Sequence, residues 1–514
     1  MKNIKFLFIV SINFLFSQPE ISWEATFGGT DGYDNLGDVI ETNDGGYIMT
    51  GLISSTDGEA TENIGTNLWV VKTDLNGVIQ WERSYGGSQT DWGHAIVQTN
   101  DGGYIITART YSSDGDVIGF HGSDNSQVDT WVIKISSDGD IEWQNCLGGT
   151  NSDFPFDIIQ TVDGGYAVVC QSNSSDGDVS ISIGSQHIWL VKLSSQGQII
   201  WDQSYGSNYT NNDGVQSQTS PFSLTQTIDG GFIIAGKTNS NFVDQIGWNN
   251  DAAIIKTDSN GNIEWENSFG GSSTDYASSA IQTSDNGYVF IGYSSSSDGD
   301  LAENELGGVI WVVKLNSLGE IEWSRNYGNT LNAAAKNIIE ISNGYVFAAT
   351  VWGGGGDVTD FNGGERDAWI VEINYTGEIQ WENCIGDIGI QSVTANISQT
   401  NDGGYIFGGH TDPGPTNSTL RNWWLVKLSS ILGVEDVTAQ NKINLYPNPT
   451  SEKLNIKLNP NQINQPFKIF NSLGKLILKG IINEERFQVN IQGFSKGVYF
   501  LVLNNNEHTR FIID

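Results

Sequence analysis

The sequence predicts an all-β chain, a seven-bladed β-propeller followed by a small β-sandwich of Ig-like type, and three repeated marks carry that reading. Tryptophan recurs at Trp23, Trp81, Trp143, Trp201, Trp265, Trp323 and Trp381, at spacings of 58 to 64 residues, each followed shortly by glycine as in Phe27-Gly28-Gly29. A second mark reads Asp-Gly-Gly-Tyr from Asp44, Asp101, Asp163 and Asp402, Asp-Gly-Gly-Phe from Asp229, and persists as Asn286-Gly287-Tyr288 and Asn343-Gly344-Tyr345. The third is Trp-Val-Val-Lys or a near variant, from Trp69, Trp131, Trp189, Trp311, Trp369 and Trp424, with Ala253 in its place once. A fixed period of this length means an array of identical supersecondary units.

Each unit reads as four strands. In six of its seven occurrences the third mark precedes the next Trp by 12 residues, and the intervening Asn76-Gly77, Asp138-Gly139 and Asn260-Gly261 pairs supply the positive φ angles of a tight hairpin. Asp-Gly-Gly-Tyr is the tip of a second hairpin. The strands are then A (Ile-x-Gln-Thr), B (Gly-Tyr-Ile-Ile), C (Trp-Val-Val-Lys) and D (Ile-x-Trp), with A innermost, and four such strands make one propeller blade. The chain begins on an unpartnered D strand at 21–27 and leaves the repeat on an unpartnered C strand at 424–428. Pairing the two closes the ring and removes both exposed edges.

Residues 1–17 carry Lys2 and Lys5 and then an apolar run from Phe6 to Phe16, too short to span a bilayer and suited to a secretory signal, with cleavage expected after Ser17. No transmembrane segment is expected after that cleavage. The propeller is expected over 18–430, a linker over 431–442 and a separate domain over 443–514. Charge divides the chain in the same way: residues 18–442 hold 14 basic and 55 acidic side chains, whereas 443–514 hold 8 and 5. So acidic a surface repels phosphate backbones, which excludes nucleic acid as a partner and favours cations or neutral polymers. Cys146 and Cys384 share one repeat position and read as small core fillers; Cys170 is the third cysteine.

The repeat also sorts candidate functional residues. A catalytic group is needed once, not seven times, so Asp44, Lys72 and their equivalents read as scaffold, and Glu372 in the Lys position reads as tolerance of charge reversal. Binding is expected on the face bearing the B-C and D-A loops, whose lengths vary. Of 17 tryptophans, seven belong to strand D and six to strand C; Trp92, Trp248, Trp352 and Trp423 break the pattern in or beside those loops. They are candidate stacking platforms for sugar rings, the competing reading being that each packs under its own loop.

Oxygen-rich positions gather there too: Asp34, Asp91, Asp153 and Asp275 before strand A, and the turns holding Asp114 and Asp116, Asp176 and Asp178, and Asp298 and Asp300. They are candidate calcium ligands, set against solvated turn carboxylates. No other cofactor is expected. His94, His121, His187 and His410 share no spacing, and no zinc pattern or phosphate-cradling glycine loop occurs.

The tail has its own motifs: Tyr446-Pro447-Asn448-Pro449, Leu473-Gly474-Lys475 and Gly497-Val498-Tyr499-Phe500, with alternating strands such as 454–458 and 498–502. These resemble the type A sorting domain of the Bacteroidetes type IX secretion system. The resemblance implies crossing of the inner membrane by the N-terminal signal, then recognition by the type IX machinery and release or attachment at the cell surface. The repeats resemble bacterial secreted propeller repeats, a family defined by fold more than activity. The expectation is therefore a secreted or outer-membrane surface propeller that acts as a binding or adhesion module for polysaccharide or another surface polymer. The alternatives are a propeller enzyme acting on a polymer, of glycoside hydrolase or lyase type, and a purely structural surface protein.

Overall fold

A computed structural model describes residues 18–59, 65–124, 126–208, 216–239, 249–301, 308–328, 332–386, 390–393, 396–412 and 421–430, and in the tail 444–446, 453–457, 465–471, 475–482, 484, 486–503 and 508–513. The expected signal at 1–17 and the 431–442 linker lie outside them. Contacts divide the chain into one unit at residues 1–431 and another at 432–514.

The first unit is a propeller of seven antiparallel sheets. Blade 1 shows the plan, with strand A at Asn35–Glu41, B at Tyr47–Ile53, C at Asn67–Thr73 and D at Ile79–Tyr85. In blade 7 the D strand is Ile21–Phe27, paired antiparallel to strand C at Asn422–Leu428 with Thr26 opposite Trp424. The first strand of the repeat is thus the last strand of the disc.

Burial follows from position in the blade. Strands B and C are covered on both faces and read as continuous apolar runs, such as Tyr-Ile-Met-Thr-Gly-Leu-Ile and Asn-Leu-Trp-Val-Val-Lys-Thr, every residue buried. Strand D, at the outer edge, is mostly half-buried. The core lies between blades; Phe27, Trp423 and Leu425 of blade 7 pack with Leu36, Val39, Tyr47, Met49 and Trp69 of blade 1.

Each repeated residue has a structural task. The strand C indoles are buried and donate from Nε1 to the side chain 13 residues on: Trp69 to Glu82 at 2.8 Å, Trp131 to Gln144 at 2.7 Å, Trp189 to Asp202 at 2.9 Å. The strand C lysine reaches the Asp of the A-B turn, as in Lys72 to Asp44 and Lys256 to Asp229, both 2.9 Å. The strand A glutamine bridges blades, for the Asn43 amide donates to Gln98 at 2.7 Å and that of Asn100 to Gln160 at 2.9 Å. Cys146, Cys170 and Cys384 are buried and free.

Glu372 is not simple tolerance of reversed charge. Its carboxylate accepts from Asn343 Nδ2 and Trp381 Nε1, each at 2.7 Å, so blade 6 has exchanged the Asp–Lys pair for an Asn–Glu pair at both ends.

The tail unit forms two sheets, one of Asn444–Tyr446, Lys453–Lys457 and Arg486–Asn490, the other of Leu476–Ile482, Gln465–Asn471, Gly497–Leu503 and His508–Ile513. They enclose a common core that includes Leu454, Ile456, Val489, Phe467, Ile469 and Leu501. Tyr446 and Gly497 lie on strands, and buried Tyr499 donates its hydroxyl to the Ser495 carbonyl at 2.8 Å. Pro447, Asn448, Pro449 and Gly474 fall outside the described residues.

Candidate functional site

The propeller axis is lined by the A strands, and one irregularity repeated along them builds the site. In six blades the A-B register slips by one residue, at Gly37, His94, Phe156, Phe222, Ser278 and Lys336. A bulge re-aims the extra side chain. All six line a cavity of about 430 Å³ at the axis, with Trp92, Tyr276, Asn35, Leu36 and Ala335 completing its wall. Because Trp92 and Tyr276 stand second in their A strands, the cavity opens toward the D-A and B-C loops.

Its wall is an aromatic arc. Phe156 and Phe222 meet at 5.7 Å, Phe222 and Tyr276 at 5.6 Å, and Tyr276 stacks on Tyr293 at 5.4 Å. In the blade before that of Phe156, Trp92 lies 5.7 Å from the His94 ring, with the Arg109 guanidinium 4.1 Å over its indole. Lys237 stands 5.8 Å over Phe222. The rings are half-buried, so each keeps a face for a flat partner.

Ionisable groups ring the deeper part. Burial, then the nearby Arg109 and Lys336 charges, lowers His94 to about 3, and its Nε2 is buried without a hydrogen-bond partner. Burial raises Asp38 to about 6 and, with the Asp38 charge, Asp157 to about 7. Both carboxylates are held chiefly by backbone amides. Asp38 accepts from the Val39 amide at 2.9 Å, Asn396 at 3.1 Å and Ile96 of the next blade at 3.3 Å; Asp157 accepts from Ile158 and from Leu224 of the next blade, both 2.8 Å.

Among the described residues, the tryptophans that break the repeat, Trp92, Trp352 and Trp423, are not brought together. Trp92 is on the cavity wall. Trp352 follows strand B of blade 6, half-buried, with Arg366 5.4 Å over its ring. Trp423 is fully buried between blades 7 and 1, 4.6 Å from Trp69, and donates to the Leu52 carbonyl at 3.2 Å; it presents no ring to a ligand. Trp248 lies outside the described residues.

The candidate calcium ligands form a loop clamp. Asp34, Asp91, Asp153 and Asp275 are each fully buried. Asp91 accepts from Thr110 Oγ1 at 2.5 Å, Ser112 Oγ at 2.9 Å and the Gly87 amide at 2.8 Å. Asp153 takes the hydroxyls of Ser172 and Ser174 and the Gly149 amide, Asp275 those of Ser294 and Ser296 and the Gly271 amide, and Asp34 the Ser55 hydroxyl and the Gly29 amide. The acidic turns complete the clamp from above. Asp116 donates its amide to the Gly86 carbonyl at 2.9 Å and accepts from the Gly86 amide at 3.1 Å, while Asp114 accepts from the Ser88 amide at 2.7 Å.

Asp176 and Asp178 bind the loop of Gly148 in the same manner, and Asp298 and Asp300 that of Gly270. Gly115, at φ +65°, lies so close that a Cβ would stand 2.3 Å from the Gly86 carbonyl oxygen. Among the described residues no group of three or more His, Cys, Asp or Glu side chains is arranged to hold a metal ion.

Sequence reasoning missed the bulge residues, although a signal existed: three residues after the Asp before strand A, an otherwise regular strand reads Gly, His, Phe and Ser at 37, 94, 156 and 278. A position that changes in every blade marks a side chain excused from blade packing.

A 98-residue stretch is 28% identical to β-agarase A of Zobellia galactanivorans, covering 18% of each chain. Among solved structures, the β-propeller domain of the trilobed protease from Pyrococcus furiosus aligns with TM-score 0.42 and 8% identity over 80% of this chain and all of that one. A puromycin hydrolase aligns with TM-score 0.39 and 11% identity over 75% of this chain. The chain spans about half of that hydrolase and under a fifth of the agarase. Among the described residues no helix is long and apolar enough to cross a membrane. Residues 444–514 match the secretion system C-terminal sorting domain, so the chain carries a type IX sorting tail behind its propeller and is a secreted or cell-surface protein.

Proposed function

We propose that the secreted propeller is a binding module that takes a polysaccharide at the axial mouth on its loop face. The observation that carries this is the arc of Trp92, Phe156, Phe222 and Tyr276 around a cavity of about 430 Å³, a size suited to one or two sugar rings. Aromatic faces stack on the apolar faces of pyranoses, and a rigid ring of blades presents them at little cost in ordering. Asp38 and Asp157 are the carboxyls that a hydrolytic reading needs. Their hydrogen bonds to interblade amides speak for a joining role and favour binding over cleavage.

The test is retention of the full chain in affinity electrophoresis against a polysaccharide panel that includes agarose, chosen for the likeness to an agarase, with product analysis of every polymer retained. Retention without shortened product, lost in Trp92→Ala and Tyr276→Ala, is the expected result. Shortened product abolished by Asp157→Asn supports the enzyme instead, and retention indifferent to both aromatic variants removes the axial mouth from consideration.

A further inference from the structure

We infer that the polymer taken at the axial mouth is anionic, a polysaccharide bearing carboxylate or sulfate groups. This rests on the reading of that mouth as a carbohydrate site and narrows it to one class.

The argument starts from where the few cations are. The described part of the propeller has thirteen Lys and Arg side chains. Six lysines, from Lys72 to Lys427, are held by the aspartates of the A-B turns. Arg83 and Arg325 lie on D strands and donate to carbonyls of their own strand. All five that remain, Arg109, Lys237, Lys336, Arg366 and Arg421, belong to the channel or to the loop-bearing ends of the blades. Four of these five sit over an aromatic ring, at 4.1 Å for Arg109 on Trp92, 5.8 Å for Lys237 on Phe222, 5.4 Å for Arg366 on Trp352 and 4.7 Å for Arg421 on Tyr33.

Lys336 lines the cavity itself and Arg109 and Lys237 back two of its rings, none of them in an ion pair although the chain has acid to spare. Among the described residues Lys336 makes no hydrogen bond or ion pair, Arg109 Nε is buried without a partner, and neither Arg109 nor Lys237 has a carboxylate within ion-pair distance. The Lys336 charge acts on Asp38 and Asp157 through space and lowers both, but their oxygens are taken by interblade amides and, for Asp38, by Asn396, and neither forms an ion pair with it. His94 adds a buried Nε2 with an unmet hydrogen-bonding capacity beside them. A neutral sugar needs only the stacked rings. Arg109, partly buried with its Nε unpartnered, costs free energy until an anion arrives, and a carboxylate or sulfate set against it and the exposed Lys336 would form charge-assisted hydrogen bonds. The net negative charge of the propeller repels a polyanion only at long range, because at ~0.15 M salt exposed charges are screened beyond about 8 Å.

Isothermal titration of the full chain at that ionic strength tests this with agarose and dextran as neutral polymers, polygalacturonate as the carboxylate arm and dextran sulfate as the sulfate arm. The expected result is that one anionic arm binds at least about tenfold more tightly than either neutral polymer, the difference that one charge-assisted contact supplies. Which arm binds identifies the group. Lys336→Gln should lose about that factor and Lys336→Arg should keep most of it, with little change in melting in either because Lys336 is exposed and makes no hydrogen bond or ion pair. Equal or tighter binding of a neutral polymer overturns the inference and leaves the carbohydrate reading standing. Binding to no polymer overturns both, and anionic binding indifferent to Lys336→Gln and Arg109→Gln places the polyanion elsewhere and overturns the inference.

Discussion

The indole of Trp23 meets the ring of Tyr47 edge to face at 5.5 Å, joining the first strand of the repeat, which completes the last blade, to the first blade. The same contact recurs at every blade junction, at 6.4 Å for Trp81 on Tyr104, 5.8 Å for Trp143 on Tyr166 and 6.3 Å for Trp381 on Tyr405. The strand D Trp and the Tyr of Asp-Gly-Gly-Tyr are therefore one device, the two halves of a key between neighbouring blades. Trp23→Ala is expected to cost about 2 kcal/mol, since the ring is half-buried and a cavity at the junction collapses only in part. Chemical denaturation followed by far-ultraviolet circular dichroism checks it. A midpoint unchanged from the parent, while Trp143→Ala lowers it, would mean that closure does not depend on this contact.

Removing residues 21–27 altogether is expected to be worse than any point change. It leaves the strand at Asn422–Leu428 as an open edge of unpaired amides and carbonyls, a template for another chain. Size-exclusion chromatography should show dimers or aggregates where the parent elutes as a single species. A truncated chain that elutes and melts like the parent rules out the pairing with Asn422–Leu428 as the lock of the ring.

Asn343 and Glu372 offer a test of coupling. Glu372→Lys alone should destabilise by about 1 kcal/mol or more, because Trp381 Nε1 loses a buried acceptor and the ammonium meets an amide in place of a carboxylate. Adding Asn343→Asp rebuilds the arrangement of blade 1, where Lys72 contacts Asp44 and Gln80 and Gln380 stands ready in the corresponding place. The double variant should recover most of the loss, a coupling of about 1 kcal/mol in a double-mutant cycle. Strictly additive effects would show that the two departures in blade 6 are independent.

Much of this architecture was legible in the sequence because its causes are local and repeated. Period, turn glycines and apolar strands together specify blades, and the unpartnered D strand at the start specifies closure. The loop face was harder. The aspartates before strand A and the Asp-Gly-Asp turns appeared as two separate acidic sets, because nothing in their spacing reveals that both fold onto the same glycine loop, Asp91 from below and Asp114 and Asp116 from above. Trp423 broke the repeat in sequence yet packs as core, since the position before the strand C Trp faces the neighbouring blade and is filled by Leu68 in blade 1. The cavity wall escaped notice because a bulge shifts the side-chain alternation by one, which no period-two pattern records.

The loop clamp makes its own prediction. Asp153→Asn keeps the size of the side chain but discards the charge that receives Ser172, Ser174 and the Gly149 amide, and should cost about 2 kcal/mol. Backbone amide exchange should quicken over residues 148–153 and 173–178 and not in blade 6, where Ala333 takes the corresponding place. Because hydroxyls and amides already occupy these carboxylates, the melting temperature is expected to be the same in millimolar calcium and in chelator. A calcium-dependent rise would assign the acidic turns to a metal after all.

The Asp–Lys pairs of the A-B turns set the acid limit of stability. Burial pushes Asp229 upward, but hydrogen bonds from the Thr227 hydroxyl, Lys256 and the Gly231 amide outweigh it and hold the carboxyl at about 2, and Asp44, Asp163 and Asp285 are held there in the same way. An unfolded aspartate titrates near ~3.9, so the stabilisation is complete above that pH and is lost as the pH falls through about 2. The buried histidines His94 and His187, lowered to about 3 and about 4, begin to withdraw stability already below ~6.5, whereas Asp38 and Asp157, raised to about 6 and about 7, return some on acidification. A comparison of variants separates the aspartates from these opposing groups. Lys256→Met should lower stability by about 1 kcal/mol at pH 6, discounted because Asp229 and Glu264 are half exposed, and by progressively less toward pH 2, where about half of Asp229 is protonated and the pair is correspondingly weakened in the parent. Thermal melting of parent and variant across that range measures it, and a gap that stays constant down to pH 2 would show that Lys256 acts by packing rather than by charge.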